Sequence, residues 1–130
     1  MSQFGVQIHT KADTKNSGNG TKKLKFRDKK RSEVGNYFSA TKLSDANVVS
    51  SVRRRGAIVG MKLKRAGFAN LLVKGVYKKA KIMGVLESRD NRNFARQNII
   101  TKGTIINTDL GKAVVLNRPG REGMINAKLV

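Results

Sequence analysis

The sequence predicts an all-β fold: a small barrel of about five to six short strands with a basic N-terminal extension. Three observations carry that prediction. Short apolar segments from about residue 50 onward alternate with basic residues at a period of two, which marks half-buried strands. Glycine, asparagine and aspartate interrupt those segments at close intervals, as tight turns require. Before Val48 there is no such apolar pattern. The 130 residues therefore divide into a basic, largely extended segment over 1–45 and a barrel over 46–130. Closing the barrel would also remove exposed strand edges.

Taken in order, residues 1–23 are polar and rich in Gly, Asn, Ser and Thr, so they read as an extension without a core of its own. The run KKLKFRDKKR, Lys22 to Arg31, follows; it fits one or two helical turns ending near Gly35, or a segment that stays extended until a partner orders it. Arg53-Arg54-Arg55 stands before Gly56 at an expected strand end, where three consecutive side chains must straddle both faces or sit in a loop. Met61 to Lys64 and Phe68 to Val73 are the next strands. In Lys79 to Glu87, Ala80, Ile82, Gly84 and Leu86 fall on one side and Lys79, Lys81 and Glu87 on the other. Ser88 or Asp90 is placed to cap a short helix carrying Phe94 and Ala95. Lys102-Gly103 breaks the apolar run Ile99-Ile100 from the strand Thr104 to Thr108. Asp109-Leu110-Gly111 then turns the chain into its hairpin partner, Lys112 to Asn117. After the turn Arg118 to Gly123, which holds the single proline, Ile125, Ala127 and Leu129 share a face. Phe68 and Phe94 are assigned to the core.

Charge narrows the partner. Lys and Arg number 28 and Asp and Glu 8, for a net charge of +20 at pH 7. Residues 46–86 carry ten basic residues and no acidic one, so that segment cannot neutralise itself. Such a chain fits a nucleic acid or an anionic membrane. A membrane needs roughly 20 consecutive apolar residues or a basic helix with a broad apolar face, and the sequence has neither. Its start, MSQFGVQIHTK, lacks the apolar core of a secretory signal, which leaves an intracellular location as the default. Aromatic residues are few and are not paired along any strand, so backbone and shape recognition of folded RNA is favoured over base reading.

Catalytic chemistry finds no foothold. The single histidine, His9, lies in the extension, far from any dry pocket with an orienting partner. Asp90, Asp109 and Glu122 fall in turns, where capping explains them. Gly18-Asn19-Gly20-Thr21-Lys22 lacks the spacing of a phosphate loop and no strand precedes it. With no cysteine, disulfides and thiolate metal sites are excluded. No cofactor, metal or small-molecule substrate is expected.

The run Asn91-Arg92-Asn93-Phe94-Ala95-Arg96-Gln97-Asn98-Ile99-Ile100-Thr101-Lys102-Gly103, with Gly111-Lys112-Ala113, Arg118-Pro119-Gly120 and the closing Asn126-Ala127-x-Leu129, resembles the archaeal and eukaryotic-type small-subunit ribosomal protein eight. Val52-Arg53-x-Arg55-Gly56, Ala69-Asn70 and Glu33-Val34-Gly35 match more weakly. The stretch from Leu86 to Asn98 lacks the long insertion of eukaryotic members and looks archaeal. The chain departs from the family at Gly56-Ala57-Ile58-Val59-Gly60, where Gly-Asn and a basic residue usually follow the Arg-Gly pair. The resemblance implies a non-enzymatic small-subunit protein in the cytoplasmic ribosome, bound to ribosomal RNA and neighbouring ribosomal proteins. On that reading Lys22, Lys23, Lys25, Arg27, Lys29, Lys30 and Arg31, with Arg53, Arg54 and Arg55, supply phosphate contacts, and Lys62 and Arg65 join them. Arg92, Arg96, Asn98, Lys102, Arg118 and Arg121 form a loop-borne patch on the barrel. The competing expectation is a free-standing RNA-binding or RNA-chaperone module associated with translation.

Overall fold

The structure, a computed structural model, describes residues 37–130. Along these run β1 (Thr41–Leu43), β2 (Val48–Arg53), β3 (Val59–Ala66), β4 (Phe68–Val73), β5 (Val76–Glu87), α1 (Arg92–Arg96), β6 (Ile99–Ile100), β7 (Ile105–Thr108), β8 (Gly111–Val115), α2 (Pro119–Glu122) and β9 (Asn126–Leu129). A single 3-10 turn, Arg55–Ala57, joins β2 to β3.

The expected barrel is present: β4, β5, β7, β8 and β9 close in that order. Its ladders are antiparallel except for the closing pair, in which β9 runs parallel to β4. Period-two alternation sends Ala69, Leu71, Ala80, Ile82, Ile106, Ala113, Val115 and Ala127 inward, and all are buried. Four of those eight are alanines. Barrel diameter falls with strand number, so five strands leave a lumen too narrow for rings. That explains a departure from expectation: Phe68 and Phe94 are only half-buried and do not belong to the core.

The remaining strands form a second sheet in the order β2-β3-β1-β6. Leu63, Ala66 and Ile100 from this sheet share one core cluster with the barrel interior. Gly67 makes the corner between β3 and β4. A Cβ there would lie 2.3 Å from the Asp45 carbonyl oxygen, so only glycine lets the two backbones come together. Asn47 pins the same corner, its Oδ1 accepting from the backbone N–H of Gly67 at 2.7 Å and of Phe68 at 3.1 Å. Strand β1 lies inside the stretch read as extension. Three residues show no period, yet Thr41 is buried and its hydroxyl donates to the Leu63 carbonyl at 2.7 Å.

Two further details differ from the sequence reading. The β5–β7 register shifts between Ile82 and Gly84 and again between Val85 and Glu87. Each irregularity leaves one extra residue on β5, Met83 and Leu86, and both point to solvent while Val85 packs on the core. The N-cap of α1 is Asn91 rather than Ser88 or Asp90; its Oδ1 accepts from the Asn93 N–H at 2.9 Å.

Candidate nucleic-acid interface

The β2–β3 hairpin gathers half of the described basic residues named from the sequence. Arg53 ends β2 opposite Val59, and Arg54 follows in extended backbone, its N–H donating to the Ile58 carbonyl at 2.7 Å. Arg55 opens the turn, where Gly56 and Ala57 both adopt left-handed φ. The Arg54 guanidinium lies over Gly60, within 2.5 Å of where a Cβ would stand, so Gly60 makes room for it. Lys62 follows two residues along the same face. The ladder slips between Val48 and Val49, and both Lys64 and Arg65 emerge exposed between buried Leu63 and Ala66.

Lys62 is half-buried in this company. Burial first, then Lys64 and Arg54, hold its ammonium below the ordinary lysine value of 10.5. Among the described residues no carboxylate pairs with Arg54, Lys62 or Lys64. The arrangement is a cluster of like charges lacking its counterion.

The other named residues sit on separate elements. Arg92 and Arg96 are the first and last residues of α1, four apart and exposed on one helix face, while the helix packs on β5 and β6. Asn98 takes a left-handed φ of 52°; its N–H donates to the Ala95 carbonyl and its own carbonyl accepts from Leu43, so its place in the chain has a backbone reason. Lys102 is exposed beside Gly103, in the turn between β6 and β7. Arg118 and Arg121 flank and occupy α2, which packs on β3. Glu122 in that helix serves structure, accepting from Asn117 Nδ2 at 2.9 Å. Lys22, Lys23, Lys25, Arg27, Lys29, Lys30 and Arg31 lie outside the described residues.

Two features escaped the sequence reading. Lys64 belongs with Lys62 and Arg65, which only the register slip makes evident. The alternation Lys79-x-Lys81 was visible, but not that the Lys79 ammonium lies 4.4 Å from the Phe68 ring centroid. Among the described residues no three His, Cys, Asp or Glu side chains come together to hold a metal, and no helix is long and apolar enough to cross a membrane.

Fold and surface define a class: a small cationic β barrel with an attached sheet, whose described arginines and lysines, Lys81 beside Asp45 excepted, face outward without an ion-pair partner among the described residues. Comparison with known proteins makes that specific. The sequence model of the family described as Ribosomal protein S8e matches residues 10–130. The chain is 45% identical over 113 residues to small ribosomal subunit protein eS8 of Sulfurisphaera tokodaii, covering 85% of this chain and 88% of that one. The corresponding protein of Hyperthermus butylicus is 41% identical over 120 residues, covering 91% and 88%. That of Methanococcus maripaludis is 36% identical over 113 residues, covering 85% and 88%. The chain belongs to the ribosomal protein S8e family.

Proposed function

We propose that this protein is a structural, non-enzymatic constituent of the small ribosomal subunit that binds ribosomal RNA mainly through phosphate and shape contacts. Family membership gives the ribosomal role, with the cytoplasmic ribosome as its location and ribosomal RNA and neighbouring ribosomal proteins as its partners. The observation that carries the RNA contact is the uncompensated cluster on the β2–β3 hairpin. Holding Arg54, Lys62 and Lys64 together with no carboxylate among the described residues is unfavourable in the free protein, and a phosphate would relieve it; burial first, then Lys64 and Arg54, lowers the Lys62 pKa. Arg53, Arg55 and Arg65 extend that contact. Arg92, Arg96, Asn98, Lys102, Arg118 and Arg121 add recognition of RNA shape from α1, α2 and the β6–β7 turn. Lys22 to Arg31 add charge from the N-terminal extension. Stoichiometric co-sedimentation with small subunits through a high-salt wash is the test. Release in the wash, with RNA binding retained, would identify a free-standing RNA module instead.

A further inference from the structure

We infer that the outer wall of β4, β5 and β9 stacks an unpaired RNA base on Tyr77. The inference rests on the RNA-binding reading above and adds a contact of a different kind, to a base rather than to phosphate.

Residues paired directly across a ladder share a face, so the register lays out this wall in rows. Leu72 stands between Tyr77 of β5 and Lys128 of β9. In the next row Asn70 stands between Lys79 and Asn126. Asn70 Nδ2 donates to Asn126 Oδ1 at 3.2 Å, which fixes the two amides side by side and leaves the Asn126 Nδ2 donors open to a base edge. The row beyond holds Phe68, and Lys79 reaches along the wall to cover that ring.

Tyr77 is the ring left uncovered. It is 64% exposed, and neither its hydroxyl nor its ring has a partner among the described residues. A tyrosine so placed adds little to the fold. It does offer a rigid π surface, and Lys79 and Lys128 stand beside it on the same face. Neither of these two lysines has an ion-pair partner among the described residues; the Lys81–Asp45 pair, at 4.0 Å, belongs to the Phe68 row. An aromatic face flanked by cations is the chemistry that holds single strands, the ring taking the base and the lysines the backbone. A base inside a duplex cannot reach a ring on a sheet wall, so the occupant is unpaired.

The test titrates the full chain with a single-stranded RNA oligonucleotide carrying 2-aminopurine, whose fluorescence falls on stacking, and with a duplex of equal length. Wild-type protein should quench the probe. Tyr77→Ala should lose about 5- to 150-fold in single-strand affinity, the range for one base on one ring, with duplex affinity and salt dependence unchanged. Tyr77→Phe should keep both affinity and quenching. Equal single-strand affinity of wild type and Tyr77→Ala overturns the inference. So does an equal loss in Tyr77→Phe, which would place the effect on the hydroxyl. Failure of the wild type to bind either RNA defeats the phosphate reading together with this one, and is thereby distinguished. In intact small subunits, a photoreactive phenylalanine analogue at position 77 should crosslink to RNA; a crosslink to a neighbouring protein overturns the inference even if Tyr77→Ala folds poorly.

Discussion

Lys62 ties stability and binding together at a single side chain. Its ammonium is disfavoured by burial and by Lys64 and Arg54, so the unfolded chain holds that proton more readily than the folded one. The penalty is present in full below the folded pKa and fades as pH rises through that value towards 10.5. The free protein should therefore gain stability on the alkaline side of neutrality. Lys62→Gln should melt higher than wild type at neutral pH, show a flatter pH dependence, and bind RNA more weakly; melts across pH and a binding titration check all three. Gly103 and Gly67 separate two reasons for a glycine. Gly103 has φ +80° with open space around it, so Gly103→Ala meets only backbone strain and should cost about 1–2 kcal/mol in chemical denaturation. Gly67→Ala must push the Asp45 backbone aside and should cost more, on the order of 3 kcal/mol.

Among the elements, α1 is the clearest case of recognition depending on a small structural device. Five residues cannot sustain a helix by their own hydrogen bonds, so the Asn91 cap and the packing on β5 and β6 hold it. Asn91→Ala should cost about 1 kcal/mol and loosen both arginines that the helix presents. Arg96→Gln should spare the melting temperature yet weaken cognate ribosomal RNA more than a random duplex. Equal losses on the two RNAs would reduce α1 to a source of charge. The strands differ in how far the sequence disclosed them. Phe68–Val73 was legible to the residue, because a β-rich run sits between Gly67 and Lys74-Gly75. The interior face of β9 was legible for the same period-two reason. β6 was visible as the apolar pair Ile99-Ile100, but β1, at three residues, is too short to carry a period, and the hydrogen bonds of both come from partners distant in the chain. The extra residues on β5 reversed the expected positions of Val85 and Leu86, since alternation assumes an unbroken ladder. The arginine run at the β2 end was readable as charge in a loop. The cluster of Lys62, Lys64 and Arg65, and the neighbours of Tyr77, exist only once ladders place distant residues in rows.

For the whole molecule, net charge governs association. With about 6–10 phosphates contacted, affinity should fall by roughly 10³–10⁵ between about 50 and 200 mM salt, taking the duplex slope as a guide. Changing Lys22, Lys23, Lys25, Lys29 and Lys30 to Gln should weaken binding to all RNAs alike and lower the salt slope by up to about 0.9 for each phosphate no longer neutralised. A flat response to salt would point to an apolar partner surface. The closing ladder of the barrel has a further consequence, which concerns how each copy is made. Asn70 of β4 meets Asn126 of β9 across 56 residues, and β9 comes after the other described strands. A polypeptide synthesised from its N-terminus must carry β4 with one side unpaired until translation has passed Leu129. Termination between Val115 and Asn126 leaves two strand edges, of β4 and β8, open to proteases and to one another. A chain stopped at Ile125 should aggregate or be degraded, which size-exclusion chromatography and limited proteolysis would detect. Barrel closure would then make folding depend on the β9 strand having been synthesised.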